Sequence, residues 1–343
     1  MAFEILATGS AVPANKVTND DLSRKRNIDT SDEWIRGHTG IGARHIADED
    51  TATSDLAIGA ARNAIASVSG KTGESAEDIA ASIDLIITST VTPDYNGFPS
   101  VSCIIQDALG AKNAAAMDVG AACSGFIYGL ETAAGMMSLN TGRKRALVIG
   151  AETLSRITDW DDRATCVLFG DGAGGVIMEK TDAPASGDGA RGLLRTILGA
   201  EGSGKEALIN RRGGSRSPYK KGSVIEQPPC LEMDGRAVYN FAVRTITETI
   251  EKLLAAENMT LNDIAVIVPH QANARIVQAA AKRLSVSESK FFLNIEEYAN
   301  TSAASIPIAL DELNRGGRLA KGDAVLMVGF GGGLTYGGNI VIW

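Results

Sequence analysis

Apolar residues along the chain form two kinds of pattern. Continuous apolar runs of strand length occur at 83–90, 145–152, 264–269 and 324–330, and segments with helical spacing lie between them. Such runs, bounded by turn residues, read as strands buried on both faces; alternation with helical segments predicts mostly parallel sheets covered by helices. In the first half the run at 83–90 is followed by 114–119, a helical pattern from Cys123 to Met137, and the run at 145–152. A glycine-rich stretch, 169–175, and a short apolar run, 176–178, complete the series. The second half repeats this order: 264–270, 291–295, a helical pattern over 300–313, 324–330, glycines at 331–333 and an apolar 339–342. Corresponding strand and helix starts lie about 175–180 positions apart, far too long for a solenoid repeat, so an α/β chain of two duplicated halves is predicted.

The halves are placed at 1–178 and 179–343, with an irregular excursion at 181–230, where Gly, Pro, Ser and charge accumulate. Phe241, Ile246, Ile250, Leu253 and Leu254 pattern a helix that Asn262 or Asp263 caps or terminates. Residues 1–10 lack a positive segment ahead of their apolar positions, and read as a first strand and turn, not a signal peptide.

Composition excludes some function classes. With 44% hydrophobic and 22% charged residues, the 343-residue chain has the make-up of a soluble globular protein of about two domain-sized units. A net charge of −8 and a pI near 5.1 argue against general nucleic-acid binding. No apolar run approaches the ~20 residues of a membrane span. The four cysteines, 103, 123, 166 and 230, have no metal-type spacing, and a long apolar chain needs no disulfide scaffold. Reduced thiols in a cytoplasmic protein are expected.

Three reactive side chains stand at or just before helix-like runs. Cys123 follows a strand and a Val-Gly-Ala-Ala turn and opens a helix, where backbone N–H groups and the helix dipole favour thiolate. His270, one of three histidines, ends an apolar strand, where open α/β sheets deliver side chains to a crevice. Asn300 precedes the helical run of the second half. Each residue taken alone also has a plain structural reading: a small core cysteine, a satisfied core histidine and a helix N-cap. Together a thiol, an imidazole and a carboxamide make and break thioesters. Gly331, Gly332 and Gly333 turn between two strands and also offer backbone N–H groups to a thioester oxygen, beside that of Cys123.

The segments Thr30-Ser-Asp-Glu-Trp-Ile, Thr39-Gly-Ile, Arg44-His-Ile-Ala, Ala121-Ala-Cys-Ser-Gly-Phe, Phe169-Gly-Asp-Gly-Ala-Gly, Val268-Pro-His-Gln-Ala-Asn, Asn300-Thr-Ser-Ala-Ala-Ser and Phe330-Gly-Gly-Gly resemble β-ketoacyl-[acyl-carrier-protein] synthase III over essentially the whole chain. The resemblance implies a thiolase-like fold, five layers αβαβα, and a homodimer. It implies an acyltransferase that condenses an acyl-CoA with malonyl-[acyl-carrier protein], with loss of CO2, through an acyl-Cys123 intermediate, at the initiation of fatty-acid or related biosynthesis. Cys123, His270 and Asn300 then become catalytic, and the N–H groups of Cys123 and Gly332 an oxyanion hole. Trp34 would stack on the CoA adenine, Arg163 lie near the nucleotide, Asn273 line the tunnel, and Phe98 enter the partner's acyl pocket. Arg275, Lys282 and Arg283 would dock the carrier protein. CoA thioesters serve as substrates, and neither a metal nor a redox cofactor is required.

Two positions depart from the family pattern: His38 replaces an arginine beside the adenine site, and Arg236 replaces a tunnel asparagine. They point to an altered CoA grip and to a specialised starter or natural-product pathway. Alternatives on the same fold are an acyltransferase that never condenses, a polyketide-type condensing enzyme and a non-catalytic partner that would have lost its nucleophile. A cysteine hydrolase also uses Cys, His and Asn, but the sequence around Cys123 lacks the protease context. A basic loop at 205–221, with Lys205, Arg211, Arg212, Arg216, Lys220 and Lys221 against Glu206, is a second candidate surface for an acidic partner.

Overall fold

The computed structural model describes all residues except Asn27, Thr141, Ala185, Ser186, Asp188, Arg212, Lys221 and 223–229. The first sheet contains β1 (Ala2–Ala11), β2 (Leu85–Ser89), β3 (Ala115–Val119), β4 (Arg145–Thr153) and β5 (Asp171–Thr181), in the order β1-β5-β4-β2-β3. The second contains β6 (Gly192–Ala200), β7 (Ile264–Pro269), β8 (Ala324–Gly331) and β9 (Thr335–Ile342), in the order β7-β8-β9-β6. The helices that pack on them and around the cleft are α1 (Asp32–Thr39), α2 (Thr53–Thr72), α3 (Val101–Leu109), α4 (Gly125–Leu139), α5 (Gly235–Ala256), α6 (Ala274–Arg283) and α7 (Ser305–Arg315).

Five layers result. α2 and α3 bury Leu56, Ala60, Ala64, Val101 and Ile105 against Ile86, Ile149 and Ile177 on the outer face of the first sheet. α4 and α7 fill the space between the sheets, where Phe126, Leu130, Leu310 and Leu313 meet Leu85, Val148, Val325 and Met327. α5 and α6 cover the far face of the second sheet with Ile246, Ile250, Ile276 and Val277. Each of the larger aliphatic and aromatic side chains among these, fully buried, contributes about 1.5–3 kcal/mol of transfer free energy. With helices on both faces, β2 and β8 are buried at every position, which explains their unbroken apolar runs.

The sheets are mixed, not mostly parallel. β2 is parallel to β3 and β4, and β7 to β8, whereas β1/β5, β5/β4, β8/β9 and β9/β6 are antiparallel. Continuous apolar runs report coverage on both faces; they do not report strand direction. The antiparallel pairs come from a tight turn between β8 and β9 and from strands added beyond the parallel core. The glycine-rich stretch at 169–175 runs into β5, which is buried from Asp171 to Met178 with α7 across it.

The duplication extends further than the sequence indicated. The series β2, β4, β5, β1 has the same directions and neighbours as β7, β8, β9, β6. β6 therefore occupies the place of β1 and is not part of an irregular excursion. Its alternating exposure suits a strand with one half-covered face. The counterpart of β3 is reduced to one bridge, Ile267 to Phe291. α5 ends at Ala256, and neither Asn262 nor Asp263 caps it; Asp263 instead accepts hydrogen bonds from the N–H and hydroxyl of Thr260. No disulfide forms among the described residues, and no helix among them is long and apolar enough to cross a membrane.

Candidate active site

Each half begins its central helix with one strained turn. Ala122 (φ 45°) precedes Cys123 in the turn Ala122–Ser124 before α4, and Ser302 (φ 48°) opens the turn Ser302–Ala304 before α7. By topology Cys123 thus matches Ala303, and Asn300 lies three residues ahead of that match. Each turn is approached by a glycine of the other half's central strand. A methyl group at Gly331 would lie 2.5 Å from the Cys123 nitrogen, and one at Gly150 would lie 2.1 Å from the Ala303 oxygen. Only glycine lets both backbones close in. The hydroxyls of Ser124 and Thr335, 2.9 Å apart, tie the Cys123 turn to the glycine turn.

Cys123, His270 and Asn300 come from three separate elements and line one cleft of about 260 Å³, together with Phe330 and Gly331. All three are nearly buried, at 8%, 2% and 7% exposure, and form its floor. Burial pushes the Cys123 thiol up to about 12, and nearby Glu152 adds to this; Ser302 and the cysteine's own N–H pull the other way. The expected preference for thiolate at the helix start is therefore outweighed in the resting protein by desolvation. Burial alone lowers His270 to about 3, so its ring is neutral. His270 Nδ1 lies 2.7 Å from Ser305 Oγ, and Phe330 packs edge-on against the ring at 5.2 Å. Asn300 Oδ1 accepts the Ser302 N–H at 2.8 Å, which orients the amide and leaves Nδ2 without a partner among the described residues.

Three further buried residues, Glu152, Ser302 and Ser305, lie behind this floor and outside the cleft lining. Glu152, next to last in β4, is fully buried and accepts from Thr92 Oγ1 (2.6 Å), Thr90 Oγ1 and the Val91 N–H. Desolvation nevertheless pushes its carboxyl up to about 7. The Ser302 hydroxyl is buried near both Glu152 and Cys123, without a hydrogen bond of proper geometry. Ser305 was legible only as the last residue of the Asn300 segment, and Glu152 only as a charge ending an apolar run.

The exposed rim carries part of the expected nucleotide site. Trp34 stacks on His38 at 4.3 Å, and the Arg163 guanidinium lies 4.7 Å from the Trp34 ring. A nucleobase stacked on Trp34 must take one of these two places. Asn273 lines the cleft, but its amide is committed: Oδ1 caps α6 through the Arg275 N–H, and Nδ2 donates to the His38 carbonyl. Arg236 does not reach the cleft. Gly235, Val238 and Tyr239 present one face of α5 to it, and Arg236 is turned about 100° away on the exposed side. Gly332 lies beyond the cleft lining, nearest Leu208, so Gly331 is the glycine beside Cys123. Phe98 is 86% exposed and takes no part in the cleft. Arg275 stands on the rim, while Lys282 and Arg283 are exposed farther along α6; none of the three forms a salt bridge among the described residues. In the basic loop, Arg211 is already paired with Glu206 and Glu232, and Arg212 and Lys221 lie outside the described residues.

His270 and Glu152 oppose each other in their effect on folding. His270 stays neutral when folded but takes a proton below about 6.5 when unfolded, so its contribution is present above that pH and is lost towards about 3. Glu152 keeps its proton up to about 7 when folded, so its contribution is present below about 4.5 and is lost as pH rises through about 7. His270→Asn is expected to flatten the acid loss of stability between pH 6.5 and 3, by up to ~1.4 kcal/mol per pH unit. Glu152→Gln is expected to steepen it between 4.5 and 7. Urea midpoints across pH check both, and unchanged slopes in both variants would contradict the two assignments.

Known proteins resemble this chain over its whole length. Residues 117–202 match the family model described as 3-oxoacyl-[acyl-carrier-protein (ACP)] synthase III, and residues 254–343 match its C-terminal counterpart. The chain is 46% identical over 340 residues to a β-ketoacyl-[acyl-carrier-protein] synthase III of Natranaerobius thermophilus, covering 99% of each chain. It superposes on the 3-oxoacyl-[acyl-carrier-protein] synthase III of Aquifex aeolicus with a TM-score of 0.86 and 39% identity, covering all of both chains. The priming β-ketosynthase of the R1128 polyketide pathway gives a TM-score of 0.86 at 32% identity, over 99% of this chain and 96% of that one. With a thiolase-like fold of five layers and a cysteine, a histidine and an asparagine on the floor of its cleft, this chain belongs to the β-ketoacyl-[acyl-carrier-protein] synthase III family.

Proposed function

We propose that this protein condenses an acyl-CoA starter with malonyl-[acyl-carrier protein] to give a 3-oxoacyl-carrier protein, CO2 and free CoA. The observation that carries the reading is the meeting of Cys123, His270 and Asn300 at the floor of one cleft. In the first stage the Cys123 sulfur attacks the acyl-CoA carbonyl. The C–S bond to CoA breaks, and CoA departs with the proton that the thiol gives up. In the second stage malonyl thioester loses CO2, and the electron pair of the broken C–C bond becomes an enolate. Asn300 Nδ2 and His270 donate hydrogen bonds to that oxygen. The enolate carbon then attacks the acyl group, and Cys123 leaves as thiolate. The backbone N–H groups of Cys123 and of Gly332, the latter in the peptide that follows Gly331, hold the oxyanion of both acyl transfers. The test is intact mass after incubation with acyl-CoAs, followed by CO2 release on adding malonyl-carrier protein. An acyl adduct with no CO2 would make the protein a simple acyltransferase.

Partners follow the same reading. CoA enters over Trp34 and Arg163, with His38 altering the grip. Phe98, exposed as are Val91 and Tyr95, enters the acyl pocket of a second subunit in a homodimer. The use of a free thiol supports a reducing cytoplasm as its location. Arg275, Lys282 and Arg283 dock the acidic carrier protein near the cleft mouth. Charge reversal at Arg275 and Lys282 is expected to lower kcat/KM for malonyl-carrier protein by about 10-fold at low salt. The deficit should shrink as salt screens the wild type, and acyl-CoA loading should hold. Equal loss of both half-reactions would remove α6 as the dock.

A further inference from the structure

His270 is held on every side except one. Its backbone N–H donates to the Val328 carbonyl, Phe330 packs edge-on against the ring, and Nδ1 faces Ser305 Oγ at 2.7 Å. The adjoining Gln271 clamps the segment by donating to the Pro269 and Phe292 carbonyls and accepting the Asn294 N–H. Nε2 is the nitrogen left for the cleft.

Which nitrogen carries the proton of a neutral histidine is set by the partner of the other one. Ser305 and His270 are both 2% exposed, so water does not decide the matter. The Ser305 oxygen already faces one donor, the Gln271 N–H at 3.3 Å. Its own proton needs an acceptor, and among the described residues the only one within hydrogen-bond reach is His270 Nδ1. Leaving the proton of a buried hydroxyl unused is costly, so the O–H points at the ring.

We propose that Ser305 is a positioning residue that holds His270 in the Nε2–H tautomer, so that the ring donates into the cleft and does not act as the base for Cys123. This rests on the condensing function proposed above and divides its labour: His270 serves the enolate of the malonyl thioester, and loading proceeds without it. Removing the hydroxyl leaves Nδ1 without a donor, and the ring is then free to exchange tautomers.

The experiment is nitrogen-15 NMR of the histidine rings in the whole labelled protein. His270 is identified by the signal lost in His270→Gln, among three histidines in the chain. The wild type should show an Nε2–H, Nδ1-unprotonated ring, and Ser305→Ala a shift towards the other tautomer. Ser305→Ala should slow CO2 release by at least about 10-fold with acyl loading unchanged, and Ser305→Thr, which keeps the hydroxyl, should restore part of the loss. A wild-type ring protonated on Nδ1 overturns the proposal even if the enzyme condenses. So does a Ser305→Ala variant that keeps the tautomer and the rate. An Nε2–H ring in a protein that releases no CO2 would instead count against the condensing function and leave the tautomer assignment standing.

Discussion

Cys123→Ala is expected to abolish the acyl adduct and to lower turnover by about 10⁴-fold or more, as loss of a covalent nucleophile does. The effect should be chemical and not structural. The thiol is small, it opens a turn whose backbone is held by Ser124, Thr335 and the Gly331 approach, and alanine fits the same space. The stability change should stay near 1 kcal/mol. Intact mass reads the outcome directly, since one acyl group per chain should appear in the wild type and none in the variant. Cys103 is exposed, and Cys166 is buried under α1. An adduct that persisted on either of them, or on Cys230, would remove Cys123 from the mechanism.

Asn300→Ala should cost about 100- to 1000-fold in CO2 release and condensation, the usual effect of losing one preorganised donor to a developing oxyanion, while acyl loading continues. The direction follows from the amide. Its Oδ1 is taken by the Ser302 N–H, so Nδ2 is the atom that reaches substrate. Alanine also deletes the Ser302 bond, worth about 1 kcal/mol, and a melting curve separates that from the catalytic loss. Asn300→Asp keeps the acceptor and removes the donor, so it should lose condensation while retaining the turn. If loading and condensation fell together in both variants, Asn300 would be holding the site's shape and not the enolate.

Much of the fold was present in the order of apolar runs. The runs at 83–90, 145–152, 264–269 and 324–330 became β2, β4, β7 and β8 because strands covered on both faces must be apolar throughout. Direction was not legible: the same burial suits either pairing, and only the register of β5 and β9 settles it. β6 was missed because only its first two positions are fully buried and its run is broken by Arg195 and Thr196.

The sequence by itself determined the three reactive side chains and the glycines beside them. Their spacing within short segments fixes which residue starts each helix, and local turn chemistry needs no partner from afar. It also determined that the chain carries two copies of one pattern. Tertiary structure alone decided what those groups can do. The elevated Cys123 thiol, the neutral His270 and the raised Glu152 carboxyl are consequences of burial between two sheets, and burial depends on the whole packing. The facing of His270 by Ser305, of Trp34 by His38 and Arg163, and the turning of Arg236 away from the cleft are likewise set by helices packed from distant parts of the chain. A motif names the atoms that react; the dielectric around them and their hydrogen-bond partners are properties of the assembled core.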